Sequence, residues 1–359
     1  MNRSHNFSAG PAVLPFEVLQ KAQEELLDYR GTGSSLIELS HRGPEYTEVD
    51  LGAREKLKQV LGLGDDFEIY FLQGGASTQF SMVPYNFLKG DEQADYILTG
   101  SWSKKAFKEA KLFGQANNAF SSEDSNFNRI PTDPELKLSP EARYVHFTSN
   151  NTIFGTQFRK EPETAGVPLV CDASSDFLSR PLDIKRYGVL YAGAQKNAGP
   201  AGVTIVIIRK DFLGTAHTEG VPTILSYATH TGTMFNTPPV FAVYMFNLVL
   251  DWLIARGGLE AMDKHNQEKA AILYNEIDRD GFFHGTAQND SRSLMNVTFT
   301  LPSEELEKAF LAGAKELRLS GLKGHRSVGG MRASIYNACP KESVQALVDY
   351  MAEFRKKKG

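Results

Sequence analysis

Short apolar runs recur along the first two thirds of the chain, each followed by glycines, small residues or an amphipathic stretch. Phe67 to Leu72, Tyr96 to Leu98, Tyr144 to Phe147, Leu169 to Cys171, Val189 to Tyr191 and Val203 to Ile208 are too short for core helices. They lack the in/out alternation of half-exposed strands, so they read as strands covered on both faces. Amphipathic helical patterns lie between them, at Gln79 to Phe87 and Trp102 to Leu112. Strand and helix in alternation predict an α/β fold with a mainly parallel sheet, the last two strands being free to pair as a hairpin.

Helices are also expected from Pro15 to Tyr29 and from Tyr46 to Leu61, with irregular chain between them at Gly31 to Ser35 and Ser40 to Pro44. Phe241 to Ile254 is strongly apolar and helical in length, but it contains Asn247 and Asp251 and is too short for a membrane span. A buried or interface helix is expected there. Gly257-Gly258 then ends it, and we place the domain transition at that point. Beyond it, a helix from Leu259 to about Asp278, strands at Leu294 to Thr300 and Met331 to Tyr336, and helices at Ser303 to Glu316 and Glu342 to Phe354 make a small α+β unit. The expected division is a large domain over residues 16–257 and a small one over 1–15 and 258–359.

The charge balance, 39 Lys and Arg against 43 Asp and Glu, supplies no broad basic field for a nucleic-acid backbone. Two distant cysteines, Cys171 and Cys339, make neither a disulfide scaffold nor a CxxC site, and they suit a reducing cytoplasm. No signal peptide is expected at the amino terminus.

Three features carry chemistry. The run Tyr191-Ala192-Gly193-Ala194-Gln195-Lys196-Asn197-Ala198-Gly199-Pro200 delivers a lysine amid small residues just past a strand, where a planar group has room. Its amine is of the kind that forms a Schiff base with an aldehyde and shuttles a proton; taken alone, it reads more simply as a surface lysine at a turn. Asp172 ends another strand and is placed to pair with a protonated ring nitrogen, or else to cap a turn. The run Gln73-Gly74-Gly75-Ala76-Ser77-Thr78 joins a strand to a helix N-terminus, an anion-receptive arrangement without the order of a P-loop. Trp102 reads as a stacking ring or as core, and Thr152 as a hydrogen-bond donor to a ring oxygen or as a loop cap.

Taken in order, Asn6-Phe7-Ser8-Ala9-Gly10-Pro11-Ala12, Ser40-His41-Arg42, Gln73-Gly74-Gly75-Ala76, Thr99-Gly100-Ser101-Trp102-Ser103, Asp172-Ala173-Ser174-Ser175, Gln195-Lys196-Asn197, Gly324-His325-Arg326 and Gly329 to Asn337 give the chain its resemblance. Over nearly its whole length it resembles the phosphoserine aminotransferase family, in the class V branch of the fold-type I pyridoxal-phosphate enzymes. The resemblance implies a seven-stranded, mainly parallel sheet with a small C-terminal domain, pyridoxal 5'-phosphate as cofactor and a homodimer with composite sites. It implies that Lys196 carries the cofactor aldehyde, Asp172 partners the pyridine nitrogen, Trp102 stacks on the ring and Thr152 meets its phenolic oxygen. The phosphate would rest on backbone groups of Ala76 and Ser77, on Gln195, and on Asn236 and Thr237 from the second subunit. Several relatives carry an arginine in place of Ser77, so the backbone cradle is expected to matter more than the side chain.

Arg332 would bind the substrate α-carboxylate, and His41, Arg42, His325 and Arg326 would receive a distal phosphate or carboxylate, some of them across the dimer. The implied reaction is ping-pong amino transfer between L-glutamate and 3-phosphohydroxypyruvate, with 3-hydroxy-2-oxo-4-phosphooxybutanoate as a further substrate of family members. Alanine–glyoxylate transamination fits these cations poorly, and a cysteine desulfurase would need a better-placed thiol than Cys171 or Cys339. A non-catalytic relative would be expected to have lost Lys196 or Asp172.

Overall fold

The computed structural model describes residues 3–359. Its largest element is a seven-stranded sheet built from β1 (Phe67–Leu72), β2 (Gln93–Leu98), β3 (Gln115–Ser121), β4 (Val145–Thr148), β5 (Leu169–Asp172), β6 (Tyr187–Gly193) and β7 (Thr204–Arg209). The spatial order is β1-β7-β6-β5-β4-β2-β3. β7 runs antiparallel to both β6 and β1, and every other pairing is parallel. The expected hairpin of the last two strands is therefore present, and Lys196 lies in its connection.

Period-two alternation divides the strand residues between two cores. Ile69, Phe71, Cys171, Leu190, Ile205 and Ile207 face one side, against Val49, Ala53 and Leu57 of the helix Pro44–Leu61 and Val243, Phe246 and Leu250 of the helix Val240–Ala255. Tyr70, Leu72, Val170, Tyr191, Val206 and Ile208 face the other, against Phe80, Val83 and Phe87 of Gly75–Phe87 and Ala106 and Ala110 of Ser101–Ala110. Each Val, Leu, Ile or Phe among them contributes roughly 1.5–3 kcal/mol by leaving water.

Three differences from the sequence reading have physical causes. The first long helix stops at Glu25 rather than Tyr29, leaving Leu27 85% exposed, so its apolar period is not continued into the core. The glycine turn after β1 is itself the first turn of the helix Gly75–Phe87. β3 was not expected, because this edge strand, Gln-Ala-Asn-Asn-Ala-Phe-Ser, is mostly polar and fully buries only Ala119.

The helix Val240–Ala255 is largely buried, as expected, and at Gly257 (φ 93°) the chain turns into the helix Gly258–Ile277. Among the described residues no single helix is long and apolar enough to cross a membrane. Leu259 and Met262 of that second helix pack in the large core, while Ala270, Leu273 and Ile277 pack in a separate one. This separate core is closed by an antiparallel sheet of His284–Gly285, Asn296–Thr300 and Met331–Ser334 and by the helices Glu304–Glu316 and Lys341–Lys358. Ser303 caps the first of these, its Oγ accepting from Leu306 N at 3.3 Å. The chain start joins it: His5–Asn6 pairs in parallel with Leu319–Ser320, and Phe7 and Val13 are core residues here.

Candidate active site

Strands β1, β2, β4, β5 and β6 all end at one edge of the sheet, and the residues just past those ends converge on a cavity of about 380 Å³. A cleft outside the carboxyl ends of the strands is where open α/β sheets hold ligands, and this volume lies within the usual range of roughly 300–1,000 Å³. It is lined by Gly74, Ala76 and Ser77 after β1, Trp102 after β2, Thr152 after β4, Asp172 at the end of β5 and Gln195 and Lys196 after β6. Ala9, Gly10, His325 and Arg332 close it from the side of the small core.

Local structure explains each placement. Gly74 has φ 95°, and a Cβ there would stand 2.0 Å from Thr78 Oγ1, so only glycine lets β1 turn at once into the helix. The helix has no side-chain cap, and its first-turn amides, which a helix leaves without partners of its own, lie where Gly75, Ala76 and Ser77 line the cavity. Gly100 packs so closely on the Asn151 carboxamide that a Cβ would overlap it. Asn151 Oδ1 in turn accepts from Ile153 N at 3.2 Å, fixing the turn that presents Thr152.

Thr152, 3% exposed, joins the two cations of the cavity. Lys196 Nζ donates to its Oγ1 at 2.7 Å, and Arg332 Nη1 donates to its carbonyl at 3.0 Å. Lys196 Nζ also lies 5.3 Å from the centre of the Trp102 ring. Burial pushes the Lys196 amine down to about 8; Asp172 opposes that shift and Arg332 adds to it. Burial likewise lowers the Arg332 guanidinium, whose Nε is buried without a partner among the described residues. Asp172 Oδ1 accepts from Ser174 N at 3.0 Å, which leaves its carboxylate held at the cavity wall. His325 is shifted down by partial burial and then by Arg332, Arg326 and Lys105. Cys171 is fully buried and its thiol is pushed well up, so it is no nucleophile.

These residues fit pyridoxal phosphate: an uncapped helix start for its phosphate, an indole for its ring face, a carboxylate for its ring nitrogen and a desolvated amine for its aldehyde. Of the residues singled out from sequence, Ala76, Ser77, Trp102, Thr152, Asp172, Gln195, Lys196, His325 and Arg332 line this one cavity. His41, Arg42, Arg326, Asn236 and Thr237 do not. Arg42 and Arg326 are exposed, and the Asn236–Thr237 loop is tied to Gln73 at the rim, with Gln73 Nε2 donating to Thr237 O at 2.8 Å. Sequence reasoning missed the wall of Ala9 and Gly10, which Tyr336 secures by donating from its hydroxyl to Ala9 O at 2.7 Å. It also missed Asn150 and Asn296, whose side chains bond at 2.7 Å and join the two cores beneath the site.

The profile of the class-V aminotransferases matches residues 4–347. The chain is 52% identical over 358 residues to a phosphoserine aminotransferase of Lysinibacillus sphaericus, covering 99% of each chain. It superposes on the structure of a phosphoserine aminotransferase from Bacillus circulans subsp. alkalophilus with a TM-score of 0.97, at 51% identity and 99% coverage of both. It is also similar to the pyridoxal-phosphate-bound phosphoserine aminotransferase of Trichomonas vaginalis, with a TM-score of 0.93 and 40% identity over 98% of this chain and 100% of that one.

Proposed function

The chain belongs to the class-V aminotransferase family, and we propose that within it this protein is a phosphoserine aminotransferase, moving the amino group of L-glutamate to 3-phosphohydroxypyruvate. The observation that carries the reading is the placement of Lys196 Nζ, a desolvated amine bonded to Thr152 between Trp102, Asp172 and Arg332. Bound in this cavity, pyridoxal phosphate supplies an aldehyde that condenses with amines and a ring that accepts the electron pair left at the substrate Cα.

The chain's own residues do the rest. Amides of Ala76 and Ser77, with Gln195, hold the phosphate, and Trp102 covers one face of the ring. Asp172 keeps the ring nitrogen protonated, its position fixed by Ser174 N. Arg332 receives the substrate α-carboxylate: one nitrogen is anchored on Thr152 O, and the unpartnered Nε is a donor in want of an anion. Lys196 Nζ takes the proton from the substrate Cα and later returns one. An amine poised near 8 is neutral often enough at physiological pH to act as a base and charged often enough to act as an acid.

The distal cations need a second chain. His41, Arg42, Asn236 and Thr237 lie outside the cavity of their own chain, on segments that also expose Ile37 (57%), Leu51 (52%), Phe235 (44%) and Phe241 (38%). So many exposed large apolar side chains around two loops support a covered face. In the homodimer we propose, each chain's Asn236–Thr237 loop completes the phosphate site of the other and its His41–Arg42 turn joins the other's His325 and Arg326 at the substrate's distal anion. Two buried free cysteines suit a cytoplasmic protein.

The test is a pair of half-reactions on purified holoenzyme. Glutamate alone bleaches the visible cofactor band, and 3-phosphohydroxypyruvate restores it with one phosphoserine formed per site. A band indifferent to glutamate rejects the proposed donor; restoration without phosphoserine rejects the acceptor.

A further inference from the structure

We propose that three buried carboxamides, Asn197, Asn337 and Asn266, form a node that sets the position of Arg332 relative to Lys196 and Asp172, and that they are positioning residues for amino transfer. The inference rests on the functional reading of those three groups given above.

The geometry is specific. Asn197 immediately follows Lys196 and is 7% exposed. Its Nδ2 donates to Phe177 O at 2.7 Å, and its Oδ1 accepts from Asn337 N at 2.9 Å. Asn337 follows Arg332 by five residues; its Nδ2 donates to Leu178 O at 2.8 Å and its Oδ1 accepts from Asn266 Nδ2 at 2.8 Å. Asn266, fully buried in the helix Gly258–Ile277, also reaches Ser179 O at 3.4 Å. Residues 177–179 belong to the turns that follow Asp172, begun by Phe177 N donating to Ala173 O at 2.8 Å. Three chain segments are thus tied directly to one another, and each carries one of the reactive groups a few residues away.

A second observation marks this spot as constrained. Leu178, 1% exposed, has φ 64°, in the left-handed region that bulky residues avoid. Such a conformation persists where its surroundings over-determine it, and the Asn337 carboxamide holds its carbonyl. Apolar packing alone would tolerate small slides between the two cores. The Asn197 and Asn337 carboxamides, with both ends committed, do not, because a slide leaves a polar group unpaired.

The experiment compares Asn197→Ala and Asn266→Ala with wild-type holoenzyme. Four quantities are read: single-turnover rate and KM for glutamate per cofactor-loaded site, the pH titration of the visible cofactor band, and amide hydrogen exchange of residues 331–337 in the cofactor-free protein. For Asn197→Ala we expect the rate to fall about 10- to 100-fold with a raised KM, as misplacements near 1 Å do. We also expect a displaced band titration and faster exchange over 331–337. Asn266→Ala, which removes the bonds to Asn337 Oδ1 and Ser179 O but leaves the Asn197–Asn337 bond in place, should shift the same quantities less, and the double variant should fall short of the product of the two because they share one partner.

Lower thermal stability with unchanged KM, band titration and exchange would make the node merely structural and overturn the proposal. If Asn197→Ala fails to load cofactor, Asn266→Ala decides by the same criteria. The exchange readout needs no cofactor chemistry, whereas wild-type protein inert to glutamate would sink the functional reading instead.

Discussion

The floor of the cavity and its rim are built on different terms. On the floor, Thr152, Asp172 and Ser174 are at most 4% exposed, sit at or shortly past strand ends and are bonded within one chain. At the rim, Arg42 and Arg326 are exposed on loops, and of the four expected distal cations only His325 lines the cavity. The reactive groups are completed by the fold of a single chain, while the groups proposed to recognise the far end of the substrate await a second surface. Chemistry that must be aligned to a fraction of an ångström sits on rigid elements, and selectivity, which works through charge at longer range, can be assembled later.

The largest expected effect breaks the floor. Lys196→Ala should lower turnover by at least about 10³-fold, because it removes both the covalent anchor and the proton carrier. Turnover near that of the wild type would end the assigned mechanism. Arg332→Lys should reduce kcat/KM about 100-fold and by the same factor for glutamate and the ketoacid, since both present an α-carboxylate to the same fork; a loss confined to one substrate would place Arg332 at the distal end.

The rim is tested by Arg42→Ala, expected to cost about tenfold in kcat/KM for 3-phosphohydroxypyruvate while sparing a short unphosphorylated ketoacid. Mixing inactive Lys196→Ala chains with Arg42→Ala chains sharpens the comparison. If Arg42 serves the partner's cavity, each mixed dimer regains one intact site and phosphohydroxypyruvate turnover rises on mixing; if Arg42 serves its own cavity, mixing restores nothing.

The smallest effect concerns stability. The Lys196 amine titrates near 8 in the fold against an ordinary 10.5, so between those values the unfolded chain holds more protons and the cofactor-free protein gains stability as pH rises. Lys196→Met should therefore raise the Tm of cofactor-free protein most below pH 8, with the gain fading toward pH 10.5. A gain independent of pH would show that the amine's charge carries no penalty there.

Much of the floor was legible in the sequence because strand ends are legible. β1 is delimited at both ends by a run with five apolar residues in six, and Asp172 and Lys196 stand at or just past the ends of strands whose burial is written in Leu, Val and Tyr. β3 was not, since a polar edge strand carries little pattern. The Asn197–Asn337 bond spans 140 residues, and no local period reports a pairing of that kind. Burial also lowers Lys269 to about 8, yet its Nζ donates to the carbonyls of Tyr336 and Cys339 inside the small core. Residue type alone does not separate that structural amine from the one in the cavity; only their surroundings do.

The pairing of His5–Asn6 with Leu319–Ser320, and the bond from Tyr336 to Ala9, bear on the order of assembly during synthesis. The His5–Asn6 segment finds its strand partner only when more than three hundred further residues have been made. Until then Ala9 lacks the Tyr336 hydroxyl that holds its carbonyl, although every strand of the large sheet is already available. A nascent chain therefore completes its sheet before it can close its cofactor cavity, and fusions that stiffen the amino terminus should delay cofactor uptake more than they delay folding of the large domain.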